Sequence, residues 1–158
     1  MKFLLLKIKF ILKQYRKNFQ TVNWYEFSSK KIRSKIQLKG KKLIVLSKFK
    51  NNSQYQLKDY FIKYKNKKRR FKKKNYFLIL VKNKMILSTG WLYIGSKWKL
   101  EEVNKNIQLK NKYLLYDFET PKKIRNKGYY KMLLKLIIKK FNIKVLAIYS
   151  LSSNKNSI

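Results

Sequence analysis

The chain contains no cysteine and no histidine. Without thiols there is no disulfide framework, no thiolate metal site and no cysteine nucleophile. Without imidazole, ordinary zinc sites and histidine-based triads are excluded too. Proline occurs once, at Pro121, and glycine four times, so neither marks a linker or a domain boundary. Acids are equally scarce: Glu26, Asp59, Glu101, Glu102, Asp117 and Glu119 make up the whole set of six. No run approaches the ~18 apolar residues that a membrane-spanning helix needs. Lys7 and Lys9 interrupt the apolar start at Phe3 to Leu6 before a signal-peptide core can form. The expected location is the cytoplasm, and any chemistry falls to carboxylates, hydroxyls, lysine or the backbone.

What is present is apolar and basic. With 158 residues, 45% of them hydrophobic and 16% aromatic, the chain can bury a core that a disordered basic tail could not. The expectation is one domain over 1–158. The net charge of +36 has two readings. One is affinity for polyanions, nucleic acid or an anionic membrane surface. The other is compositional, because Lys, Asn, Ile, Tyr and Phe are inflated together. Arginine occurs only at positions 16, 33, 69, 70 and 125, and base readout favours arginine over lysine. Phosphate neutralisation by lysine is sequence-independent, so non-specific polyanion binding is the form expected.

Residues 3–20 read as an amphipathic helix, with Leu4, Ile8, Ile11, Leu12, Tyr15 and Phe19 on one face. Residues 21–42 read as polar overall, and Leu43 to Leu46 as the first strand. Leu57, Phe61 and Tyr64 are at helical spacing before the basic run 67–74, which is either a nucleic-acid patch or the solvated end of a helix. Tyr76 to Ile94 predicts a hairpin turning at Lys82-Asn83-Lys84, with Gly90 marking a bulge or a close approach of another backbone. Residues 95–112 read as a polar connection.

The last third is the most informative. A β-rich run, Tyr113 to Thr120, leads through Arg125-Asn126-Lys127-Gly128 into a stretch with Leu133, Leu134, Ile137, Ile138 and Phe141 at helical spacing. Val145 to Ser150 then reads as a buried strand. A strand, a glycine-bearing loop and a helix present free backbone N–H groups to a phosphate.

This ordered block resembles the acetyl-CoA-binding core of the GNAT superfamily of N-acetyltransferases. The family's loop is Arg or Gln, two residues, Gly, one residue, then Gly or Ala; here it reads Arg125-Asn126-Lys127-Gly128-Tyr129-Tyr130. Tyr130 stands where the family usually has Gly or Ala, and Pro121 lies one place earlier than usual. Leu133-Leu134 matches a frequent Leu-Leu pair, and 152–157, with Asn154, is similar to the family's Asn-containing turn. The resemblance implies an α/β fold with a mixed central sheet flanked by helices, with the acyl-CoA-binding core at 113–158. It implies that strands 113–120 and 145–150 run parallel and diverge, leaving a gap for the pantetheine arm.

On the same resemblance the arm pairs with the backbone near Phe118, Glu119 and Thr120. The pyrophosphate then rests on the amides of Asn126, Lys127, Gly128, Tyr129 and Tyr130, with Arg125 and Lys127 adding attraction. The co-substrate implied is acetyl-CoA, with no metal, and the partner is an amine acceptor of unknown identity. Strand alternation would put Asp117 and Glu119 on one face beside the thioester, which makes them the candidates for general base. The family continues after this point with a further helix and two strands. A chain ending at Ile158 is therefore expected to be C-terminally truncated and reduced in turnover. Its last strand would have an open edge, filled by a strand-completing partner or a homodimer. The rival expectation is a lysine-rich RNA- or ribosome-associated binding protein that uses Trp24, Trp91, Trp98 and tyrosines as stacking platforms.

Overall fold

The computed structural model of the chain describes residues 22–28, 38–48, 70–71, 74–100, 104–110 and 112–151. The expected helix at 3–20, most of the segment 57–74, Asp59, Glu101, Glu102 and the turn bearing Asn154 lie outside these residues. Eight strands are present among them: β1 (Val22–Ser28), β2 (Lys41–Leu46), β3 (Asn75–Lys82), β4 (Met85–Ile94), β5 (Lys97–Leu100), β6 (Lys105–Gln108), β7 (Tyr113–Glu119) and β8 (Val145–Leu151). One helix, α1 (Tyr129–Phe141), joins β7 to β8. The main sheet has six strands in the order β1-β8-β7-β4-β3-β2, and β5 pairs with β6 in a separate hairpin.

The hairpin β3–β4 forms as its sequence predicts. Lys82 pairs with Met85, and Asn83 and Lys84 take φ of 46° and 66°. Positive φ at both central residues of a two-residue loop matches the twist of the strands it joins. Phe77 to Val81 are buried on both faces, so the run is continuously apolar rather than alternating. Phe77, Ile79, Trp91, Leu114 and Tyr116 form one core on the face away from α1. Leu78, Leu80, Leu92 and Leu115 pack against Leu133, Ile137 and Ile138 of α1 on the other. The helix ends where Asn142 turns left-handed at φ 48° and the Ile143 N–H donates to the Ile138 carbonyl, 3.1 Å away. That is a Schellman-type stop, with Ile143 buried beneath it.

Three expectations need correction. Leu43 to Leu46 is not the first strand, because β1 precedes it inside the segment read as polar. Residues 95–112 are not a plain connection: they hold β5 and β6, which place Trp98 and Ile107 on the core face away from α1. The edge of β8 is not open. β1 pairs antiparallel along its whole length, Val22 with Leu151 through Ser28 with Val145. The strand-completing role expected of a partner is filled at that edge by the chain itself. Trp24 stacks on Tyr149 at 6.5 Å and donates its indole N–H to Glu26 Oε1 at 2.9 Å. The Lys112 ammonium donates to the same oxygen at 2.6 Å, tying β1 to the residue just before β7.

Candidate active site

The sheet consists of two blocks joined by a short seam. β2, β3, β4 and β7 are antiparallel neighbours, and β1 and β8 form a second antiparallel pair. The seam is the parallel pairing of β7 with β8, and it runs for three residues: Tyr113 with Leu146, Leu114 with Ala147 and Leu115 with Ile148. Both strands continue beyond it without pairing to each other, β7 to Glu119 and β8 to Leu151. The expected divergence is therefore present, and it opens at Tyr116 and Tyr149.

On its other side β7 stays bonded to β4 but gains a residue. Trp91 pairs with Tyr116 and Thr89 with Glu119, so two steps on β4 face three on β7. The extra residue is accommodated at Asp117, whose φ is +52°, a left-handed conformation that Asp tolerates better than most residues. Strict alternation therefore does not run from Asp117 to Glu119, contrary to expectation. The Asp117 carboxylate is ion-paired with Arg70, and the Arg70 guanidinium lies 5.6 Å over the Tyr116 ring, on the face away from α1. Phe118 instead packs into the core beneath α1 and meets Tyr130 edge-on at 5.1 Å.

Gly90 is the counterpart of this bulge. A Cβ there would fall 2.5 Å from Cε1 of the Phe118 ring, so what approaches closely is a side chain rather than another backbone. Ser88, fully buried, donates to the Glu119 carbonyl at 3.2 Å and lies 3.1 Å from the Thr120 hydroxyl. It pins the end of β7 where the loop begins. Ser88 and Arg70 were not anticipated. A serine inside the apolar run Met85 to Ile94 is a readable signal, whereas nothing in the basic run singles out Arg70.

The loop from Pro121 to Gly128 links β7 to α1. Pro121 starts a 3-10 turn, Lys122–Ile124, and the Arg125 Nε donates back to the Thr120 carbonyl at 3.1 Å, so Arg125 braces the loop from within. Asn126 and Gly128 both take positive φ, 62° and 73°. Gly128 precedes the first turn of α1, and its carbonyl accepts the first helical bond, from Met132 N–H at 3.0 Å. No side chain caps this end, and its first turn carries no acid. The leading N–H groups, at the positive end of the helix dipole, thus lack a side-chain cap, and Lys122, Lys123 and Lys127 of the loop before them are exposed. Tyr130 is 37% exposed here, and partial burial raises its phenol pKa above the ordinary range. Burial also pushes the Tyr116 phenol up, against the lowering effect of Arg70; its hydroxyl donates to Asn75 Oδ1 at 2.9 Å.

All three tryptophans contact other rings or the core. Trp91 is fully buried, Trp24 stacks on Tyr149, and Trp98 packs 4.7 Å from Tyr116. Of the three, Trp91 is closed to a stacking base, while Trp24 and Trp98 are half-buried.

No family model matches the sequence, and no curated protein matches it. Solved structures do. A functionally unknown conserved protein from Staphylococcus epidermidis superposes at a TM-score of 0.55 and 9% identity, over 89% of this chain and 56% of its own. An aminoglycoside acetyltransferase from an uncultured soil metagenome, solved in complex with sisomicin, gives 0.50 and 8% over 77% of this chain and 85% of its own. A tandem GNAT protein from the clavulanic acid biosynthesis pathway gives 0.52 and 6% over 87% and 46%. The chain thus spans little more than half of the first of these and less than half of the tandem protein. At such identities what is shared is the fold, and the fold is that of the GNAT acetyltransferases.

Proposed function

We propose that the chain is an acyl-CoA-dependent N-acyltransferase that moves an acetyl group to an amine. The observation that carries this reading is the juxtaposition of two features: the fork where β7 and β8 part after Leu115 and Ile148, and the uncapped, acid-free start of α1 at Gly128. The fork takes the pantetheine arm as an added strand along Phe118, Glu119 and Thr120. The loop from Asn126 to Tyr130 takes the pyrophosphate. The acceptor ammonium loses a proton to a carboxylate, with Glu119 in that role, and its nitrogen attacks the thioester carbon. The C–N bond forms, the C–S bond breaks, and a proton is returned to the departing thiolate. A backbone N–H of the Asp117 bulge holds the oxyanion.

The test is thermal protection by acetyl-CoA against an ATP control that carries phosphates but no pantetheine. Acetyl-CoA should raise the melting temperature more than ATP. A Cβ at Gly128 would meet no neighbour, so Gly128→Val costs about 1–2 kcal/mol through its backbone at positive φ. The variant should stay folded and lose the preference for acetyl-CoA. Equal protection by both ligands, fading with salt and indifferent to Gly128, contradicts the reading.

A further inference from the structure

Two of the chain's six carboxylates, Asp117 and Glu119, stand at the end of β7 beside the fork, in a molecule with 42 cationic side chains. Asp117 reaches the face away from α1 and is engaged by Arg70 there. The guanidinium also covers the ring of Tyr116, which is flanked by Trp98 at 4.7 Å and Trp91 at 6.2 Å. A carboxylate beside an aromatic face is a receptor for an organic cation. Tyr116 is the first residue of β7 beyond the seam, and its ring belongs to the face away from α1.

The identity of the side chain that fills the receptor is informative. Arg70 is one of five arginines in a chain otherwise supplied with lysine. A guanidinium stays protonated and is not a nucleophile, so it can sit beside a thioester unchanged, whereas a lysine amine there would be acylated. The contact is also exchangeable: its two side chains are 39% and 36% exposed, and ion pairs so exposed are weakly held. We propose that Asp117 and the Tyr116 ring form the acceptor subsite, that Arg70 occupies it as an internal stand-in, and that the acceptor is a primary amine arriving as its ammonium. This deepens the acetyltransferase reading and rests on it for the meaning of the fork, but binding at the subsite can be measured without a donor.

The first arm of the test titrates the protein with n-butylammonium, using n-butanol as the uncharged control, and follows tryptophan fluorescence through Trp98. Arg70→Gln removes the competitor and should tighten butylammonium binding by about fivefold, the equivalent of about 1 kcal/mol at 1.4 kcal/mol per tenfold. Asp117→Asn should abolish the advantage of butylammonium over butanol. The second arm uses Arg70→Lys with acetyl-CoA and maps acetylation by peptide mass spectrometry. Position 70 should be modified well ahead of the exposed Lys84 and Lys139, and adding Asp117→Asn should remove that preference. Butylammonium binding no better than butanol, or insensitive to both substitutions, would overturn the subsite. So would acetylation at position 70 at the rate of exposed lysines while acetyl-CoA still protects the fold. Loss of acetyl-CoA protection in the unmodified chain would instead sink the donor reading and leave the butylammonium result to stand by itself.

Discussion

Gly90 and Phe118 form a matched pair across the β4–β7 ladder. The ring occupies the volume that any Cβ at position 90 would need, at separations of 2.5 to 2.7 Å, and the ring is the far end of a side chain pinned between α1 and β4. Gly90→Ala should therefore destabilise the chain by about 1–3 kcal/mol, as overpacking does in a filled core. If Phe118 is the obstacle, Phe118→Leu should recover part of that loss, giving non-additive urea midpoints in a double-mutant cycle. Additive losses would place the strain elsewhere. The same contact has a bearing on the site, because Phe118 also carries the edge-on contact to Tyr130 at the mouth of the loop.

At the scale of elements, β1 is the strand that changes the account. It covers the edge of β8 and is tied down by Trp24 on Tyr149 and by Glu26 between Lys112 and Trp24. Trp24→Ala removes the stack and one donor to Glu26, and should lower stability by about 2 kcal/mol while raising light scattering as the β8 edge loosens. The Lys112 ammonium first, then the Trp24 N–H, hold Glu26 below its ordinary value of 4.5. A carboxyl with a depressed folded pKa stabilises fully above its unfolded value and loses that contribution as pH falls through the folded one. The tie should thus weaken from about pH 5 downward. Glu26→Gln should flatten the melting temperature over that window only, and by little, since the pair is solvent-screened.

Most of these elements were legible where one periodicity dominates. The Tyr76–Ile94 hairpin, the strand from Tyr113, the helix from Tyr129 and the strand from Val145 each carry a run or a stripe that fits one structure. β1 was not legible, because Trp24 with Glu26 and Tyr25 with Phe27 put aromatic rings on both faces and erase the alternation. β5 and β6 are four residues each, too short for a pattern such as Lys97-Trp98-Lys99-Leu100 to stand out. The loop was readable from Gly128, but the bulge at Asp117 was not, since nothing in Tyr116-Asp117-Phe118 demands positive φ. Arg70 lies 47 residues before its partner, and only the fold brings the two together.

For the whole molecule, a four-stranded block and a two-stranded block meet over three residue pairs and then part, and the helix that links β7 to β8 begins at the open end. No described helix is long and apolar enough to cross a membrane. Hydrogen exchange with and without acetyl-CoA tests the central claim, that a thioester donor lies in the fork with its phosphates on the loop, most directly. The account predicts added protection confined to the β7 amides from Tyr116 to Thr120 and to the loop and first turn from Asn126 to Lys131. The edge strand β2, separated from β7 by β4 and β3, should be unchanged. Protection spread evenly over lysine-rich segments, or none at β7 while the loop alone responds, would contradict it.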